Sequence, residues 1–298
     1  MKTALLLGTL TALLMLAGGV FGLYIGGDPV PYLTIAFAIA MVINFVSYYK
    51  SDKIVLSMYH ARDTTEDEYP GIYRIVRELT SVADMPMPKI VIIPTQTPNA
   101  FATGRNENNA VVAVTEGSLD LLSEGELRAV ISHELSHILN RDMFISTLAA
   151  VVAAVIGYLG QLGWWMSWSR SGNRDQNNGL LSIVGFVLLI VFIPLAAMMI
   201  RMAISRDREY GADSRGAEIS MQPDMLARAL IKIEGAAKRR PMKQGNQATS
   251  SLFIINPFKG GSVMSLMSTH PPTYKRVEKL NEMSEQMGRP TVMYPSYQ

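Results

Sequence analysis

The chain has 298 residues, 49% of them apolar and 17% charged, with a formal net charge of +2. Its mean hydropathy is positive, too apolar for an ordinary soluble enzyme and suited to a membrane protein with polar parts. The near-neutral charge gives no nucleic-acid footprint, and the absence of cysteine excludes disulfides, thiolate metal sites and thiol nucleophiles.

A helix crosses a bilayer with about 20 apolar residues, and four runs meet that length: Thr3 to Gly27, Pro29 to Tyr49, Met143 to Ser169 and Leu180 to Ile200. Gly26-Gly27-Asp28-Pro29 predicts a tight turn, so the first two runs should form a hairpin. The first run begins near Lys2 but shows no small-x-small cleavage site, and reads as a retained span rather than a signal peptide. The third run contains Gln161 and ends on Trp164, Trp165 and Trp168, where an interfacial belt would stand. A polar loop from Ser169 to Gly179 joins it to the fourth run. With the N-terminus inside, every Lys and Arg except Arg170 and Arg174 falls on the cytoplasmic side, so both polar stretches should face the cytoplasm.

Between the second and third runs, Ile72, Ile75, Val76, Leu79 and Val82 recur at helical spacing over Glu68 to Ala83. Lys89 to Pro94 reads as a strand. Asn99 to Gly104 and Ala110 to Thr115 read as two more, joined as a hairpin through the polar Arg105 to Asn109. Ser123-Glu-Gly-Glu126 is a capping box that opens a helix. No breaker stands between that helix and the third run, so the two are expected to be continuous. Lys243 to Ser262 is rich in Gly, Ser, Asn and Gln and reads as a mobile loop, either a lid or a floppy connection. The basic Lys238-Arg239-Arg240 reads as a solvated loop.

The capped helix carries His133-Glu134-Leu135-Ser136-His137. Residues four apart share a helix face, so the two imidazoles can grip one zinc ion. Glu134 is then placed to take a proton from a reacting water rather than to ligate. A third protein ligand is required. The other histidines are His60, in a charged stretch, and His270. Glu209 is the better candidate. It lies just past the fourth run and one helical turn before Asp213, which could hold a ligand histidine's free ring nitrogen. Taken alone, however, Glu209 and Asp213 beside Arg206 and Arg208 read as a solvated acidic pair.

His-Glu-Leu-Ser-His-Ile-Leu-Asn-Arg-Asp142, followed by two apolar runs and Glu209-Tyr-Gly-Ala-Asp213, resembles the HtpX family of membrane zinc proteases. These are relatives of the CAAX prenyl endopeptidases and of the mitochondrial protease Oma. The resemblance extends over the span hairpin, Asn99-Ala-Phe-Ala-Thr-Gly104 and Thr269-His270-Pro271. It implies zinc ligands His133, His137 and Glu209, with Glu134 as base and one Zn2+ per chain. It implies further that His270 and Arg276 stabilise the transition state, and it implies protein quality control and stress response in a plasma (inner) membrane. Independently, Asn99, Ala100, Phe101 and Ala102 could form an edge strand that pairs with an extended substrate.

The expected fold is α+β, a zincin-like metalloprotease domain fused to four transmembrane helices. Its parts are a span hairpin (1–49), a cytoplasmic half with the metal helix (50–142), the third and fourth spans (143–200) and a cytoplasmic helical half with the third ligand (201–298). The expected activity is hydrolysis of internal peptide bonds in unfolded or membrane proteins, with the lipid bilayer as the other partner and no nucleic acid. One rival is a non-cleaving scaffold or holdase, which would have no need of Glu134. A second is a narrow prenyl-protein processing protease, from which a longer chain with more spans is expected. A channel or transporter is disfavoured because no run carries an ionisable residue.

Overall fold

The computed structural model describes residues 2–24, 28–153, 155, 206–245, 247–258 and 270–295. They fall into two compact units, one drawn from 1–51 and 148–203 and the other from 52–147 and 204–298.

In the first unit, α1 (Lys2–Tyr24) and α2 (Pro29–Met58) are neighbours. Thr9 and Thr11 turn their hydroxyls back to the carbonyls of Leu5 and Leu7 at 2.8 and 2.9 Å, so neither presents an unpaired hydroxyl to the helix surface. Asn44 of α2 donates to Thr11 Oγ1 at 2.8 Å and to Leu7 O at 3.3 Å. A Cβ on Gly18 would stand 2.6 Å from Ala36 Cβ and 2.8 Å from Tyr32 O. The helices therefore touch nearly backbone to backbone, a contact that small residues permit. This is the hairpin expected of the first two runs, although its turn, 25–27, lies outside the described residues. By length and composition α2 is the one helix among the described residues able to cross a membrane. The apolar stretches Thr3–Gly19 and Asp142–Ala153 are shorter. The third run past 153 (residue 155 apart), its tryptophans, the polar loop and the whole fourth run lie outside the described residues.

The second unit is built on a four-stranded sheet in the order β1-β2-β4-β3. Its strands are β1 (Arg62–Asp63), β2 (Lys89–Ile93), β3 (Ala100–Gly104) and β4 (Ala110–Thr115). β3 and β4 form the expected antiparallel hairpin, with Ala100 opposite Val114. β2 runs parallel to β4, with Lys89 opposite Val111. The strands read as unbroken apolar runs because both sheet faces are covered: every residue of β3 and β4 is buried. Gly104 ends β3 at φ +133°, where a Cβ would meet Asn109 O at 2.2 Å.

Helix α3 (Pro70–Val82) buries Ile72, Ile75, Val76 and Leu79 of the predicted stripe, but Val82, its last residue, is 64% exposed. A short α4 (Glu116–Leu121) follows β4. Helix α5 (Glu124–Leu139) opens on the full capping box. Ser123 Oγ accepts from Glu126 N at 3.4 Å, and the Glu126 carboxylate accepts from Ser123 N at 2.8 Å.

Two expectations need correcting. Helix α5 does not run on into the third apolar run. It stops at Leu139, Asn140 caps it, and Arg141 takes φ +58° before α6 (Asp142–Ala153) begins. Nor is Lys243 to Ser262 a floppy segment over its described part. Thr249 to Ile255 are all buried, the Tyr59 hydroxyl bonds Thr249, and Phe253 packs edge-to-face with Tyr59 and with Phe101, each at a centroid distance of 5.0 Å. Polar composition hid a short segment whose few apolar residues all point into the core. The remaining helices are α7 (Arg206–Ser220), α8 (Pro223–Arg239) and α9 (Thr273–Gln286), the last opening after Pro271-Pro272.

Candidate active site

Helices α5 and α7 cross at Gly216. A Cβ there would lie 2.8 Å from His133 N and 2.9 Å from His133 Cα, while Ser132 Oγ donates to Gly216 O at 2.9 Å. This close crossing sets Asp213 and Glu209, one and two turns back along α7, against the histidines of α5.

The three predicted ligands converge. His133 Nε2 and His137 Nε2 are 3.2 Å apart. Glu209 Oε1 stands 3.6 Å from His137 Nε2, and Glu209 Oε2 stands 4.0 Å from His133 Nε2. Ligand atoms about 2.05 Å from a tetrahedral zinc are ~3.3 Å from one another, so the set fits the ion. The donor chemistry fits as well: all three atoms lie within 4.8 Å of one another, and at most one of two facing imidazole nitrogens can donate.

Each histidine is backed by a carboxylate. His133 Nδ1 is 3.0 Å from Asp213 Oδ1. Arg276, fully buried, grips that carboxylate through Nε to Oδ2 at 2.8 Å and Nη2 to Oδ1 at 2.7 Å. Its Nη1 donates to Ile254 O at 2.8 Å and lies 3.8 Å from Glu209 Oε2. His137 Nδ1 lies 3.9 Å from Asp142 Oδ2, an electrostatic contact too long for a hydrogen bond. Asp142 is itself held by Arg208 at 3.2 Å. His270 sits beside the ligand set with Nδ1 3.1 Å from Glu209 Oε2.

Burial and charge oppose one another in this cluster. Burial pulls His133 down to about 4, against the pull of Asp213. Burial would also lower His137, but Asp142, Glu209 and Glu134 outweigh it and hold the ring up at about 9. Burial pushes Glu134 up to about 7, against the charge of His137 and the nearby Ala102 backbone. For Glu209 and Asp213 burial is overcome. His270 and His137 hold Glu209 well below the usual carboxylate range, and Arg276, with His133, lowers Asp213. The cluster thus keeps Glu209 and Asp213 charged, while burial works the other way on Glu134. Glu134 Oε1 is buried with no hydrogen-bond partner among the described residues.

The structure brings His133, Glu134, His137, Glu209, Asp213, His270 and Arg276 together. It places His60 apart, exposed at a left-handed φ of 52°. Of the predicted substrate strand, β3 is the terminal strand of the sheet and the Ala102 backbone approaches Glu134. Asn99 has other partners: its side chain donates to Ile255 O at 2.7 Å. The Ala100 carbonyl accepts Ile254 N at 3.2 Å, and the Phe101 ring is buried against Tyr59 and Phe253. Sequence reasoning missed Asp142, Gly216 and Ile254. Asp142 stood in the quoted motif, but its return toward His137 depends on the left-handed turn at Arg141. Gly216 sits one turn past Asp213, a signal only once two helices are known to cross there.

Residues 66–284 match the model of peptidase family M48. The protease HtpX homologue of Thermococcus sibiricus is 54% identical over 289 residues, covering 97% of each chain. That of Pyrococcus abyssi is 50% identical over 96% of each, and that of Aquifex aeolicus is 45% identical over 93% of this chain and 90% of its own. The crystal structure of S. mikatae Ste24p aligns with a TM-score of 0.49 at 17% identity, over 91% of this chain and 62% of that one. The chain belongs to peptidase family M48, as a metalloendopeptidase of the HtpX type.

Proposed function

We propose that this metalloendopeptidase uses one zinc ion, held by His133, His137 and Glu209, to hydrolyse internal peptide bonds of misfolded or membrane proteins at the cytoplasmic face of a plasma membrane. The observation that carries the reading is the convergence of those three donors, within 4.8 Å, beside a buried Glu134 and the terminal strand β3.

Zinc, when bound, supplies Lewis acidity toward water and the peptide carbonyl. Glu134 accepts the proton of the attacking water at its carboxylate and returns it to the departing amine. Asp213 holds His133 by Nδ1, which leaves Nε2 free to ligate. Asp142, 3.9 Å from His137 Nδ1, acts on that ring through charge alone. His270, 3.1 Å from Glu209 and so beside the ligand set, is assigned the donor role to a carbonyl oxygen that gains charge. Arg276 donates to Asp213 through Nε and Nη2 and to Ile254 O through Nη1, which supports a positioning role through Asp213 beside the transition-state role that the family resemblance implies.

The membrane reading rests on composition and on α2. Val42 and Phe45 of that helix are each 64% exposed, and Ile35, Phe37 and Met41 are exposed with them. A surface of that kind suits lipid better than water. We propose four spans, with the active site and both termini in the cytoplasm, from the placement of Lys and Arg. Casein cleavage by purified, zinc-loaded protein tests the peptidase reading; a holdase would bind casein and leave it intact. Cleavage confined to prenylated peptides would favour the narrow processing enzyme.

A further inference from the structure

β3 pairs antiparallel with β4, and Thr115 N donates to Asn99 O at 3.1 Å. Inward and outward backbone groups alternate along such a strand. Ala100, Ala102 and Gly104 therefore present their backbone groups outward, along the edge that an extended peptide would join. The two ends of this edge are not alike. At its start, Ile254 N already occupies the Ala100 carbonyl at 3.2 Å. Asn99 Nδ2 donates to Ile255 O at 2.7 Å, and Ile255 N reaches Asn99 Oδ1 at 3.5 Å. Arg276 Nη1 takes Ile254 O at 2.8 Å. Every backbone polar group of Ile254 and Ile255 is thus engaged, and Phe253 locks the segment into the rings of Tyr59 and Phe101. An incoming peptide cannot displace it without stranding buried polar groups.

We propose that Phe253-Ile254-Ile255 is a fixed wall that ends the substrate edge at Ala100, so that this protease grips its substrate by residues on the N-terminal side of the cut and makes little use of those on the C-terminal side. This rests on the peptidase reading above. A peptide that adds antiparallel to β3 runs with its N-terminal side toward Gly104 and its C-terminal side toward Ala100. The Ala102 backbone approaches Glu134, so the scissile bond stands near Ala102. Residues before the cut have the Ala102 carbonyl and Gly104 to pair with, the Ala102 N–H being bonded to Glu134. Residues after it meet Ile254, and must turn away from the sheet.

The test uses the zinc-loaded full-length protein in detergent. Mass spectrometry first finds a cut in unfolded casein, and peptides built on that cut are then lengthened one residue at a time on either side. Lengthening the N-terminal side should raise kcat/KM by about tenfold for each backbone hydrogen bond gained. Lengthening the C-terminal side beyond the second residue should change it by less than about twofold, because no backbone hydrogen bond is gained there. Binding of the same peptides to Glu134→Gln, read by fluorescence anisotropy, should show the same asymmetry without turnover. Asn99→Ala, which releases Ile255, should let C-terminal residues contribute. Cleavage with equal gains on both sides overturns the wall and leaves the peptidase reading intact. An Asn99→Ala protein that binds N-terminally extended peptides as wild type does, yet gains nothing from C-terminal ones, overturns the assignment to this segment. Zinc-loaded protein that cuts no casein removes the peptidase reading, and this inference with it.

Discussion

Arg276 and Asp213 form a buried bidentate pair, Nε to Oδ2 at 2.8 Å and Nη2 to Oδ1 at 2.7 Å, whose carboxylate also faces His133 Nδ1 at 3.0 Å. Breaking a buried pair from one side leaves an uncompensated charge, at a cost of about 3–5 kcal/mol. Arg276→Ala should therefore lower stability by that order in chemical denaturation and weaken zinc binding together with it. Arg276→Lys keeps the charge but cannot reproduce the fork, and should lose part of both. Zinc affinity and stability unchanged in both variants would remove the positioning role.

Glu209 and His270 lie 3.1 Å apart but are assigned different work. Glu209→Ala should lose zinc, because two histidines leave too few protein ligands. His270→Ala should keep zinc and turn over slowly. Asp213→Ala should weaken zinc binding by roughly 10- to 100-fold, as the loss of a ligand's backing group does. Metal analysis of the three purified proteins checks this; full zinc in Glu209→Ala alongside zinc loss in His270→Ala would reverse the assignment.

Gly216 is the contact point of α5 and α7. Gly216→Ala puts a methyl 2.8 Å from His133 N, and backbone cannot yield as a flexible side chain does. The helices must part, at a cost of about 1–3 kcal/mol, and the ligands part with them. Lower thermal stability and lower zinc affinity should appear together; Gly211→Ala on the same helix, where a Cβ meets nothing within 4 Å, should show neither.

How much of this was legible in the sequence follows from what is local. The capping box, the apolar stripe of α3 and the β3–β4 hairpin depend on neighbours in the chain, and each formed where its pattern stood. His133, Glu134 and His137 were legible for the same reason, since helical spacing puts them together. Glu209 was not legible from its surroundings alone. Its place past the fourth run and one turn before Asp213 made it a candidate, but an acidic pair beside Arg206 and Arg208 reads as solvated when taken alone, and the family resemblance is what implied it as a ligand. The break after Leu139 escaped because no glycine or proline marks it; Arg141 adopts the left-handed turn instead. The burial of Thr249 to Ile255 escaped because its partners, Tyr59, Asn99 and Arg276, come from three distant parts of the chain.

Orientation in the membrane can be read with single cysteines, since the chain has none of its own. Ser57→Cys and Glu285→Cys fall at exposed positions expected in the cytoplasm, and Ser171→Cys falls in the loop expected outside. An impermeant thiol reagent on intact cells should label only position 171. Labelling at 57 or 285 would overturn the proposed topology.

The central claim is that Glu134 moves the proton and does not hold the metal. The most direct measurement compares zinc content and casein cleavage in wild type and in Glu134→Gln, purified side by side. Both should carry about one zinc per chain, as a complete three-ligand set does, and the variant should cut roughly 10²- to 10⁴-fold more slowly, the range lost with a general base. A Glu134→Gln protein that cuts casein at the wild-type rate, or a wild type that cuts casein with no zinc bound, would contradict it.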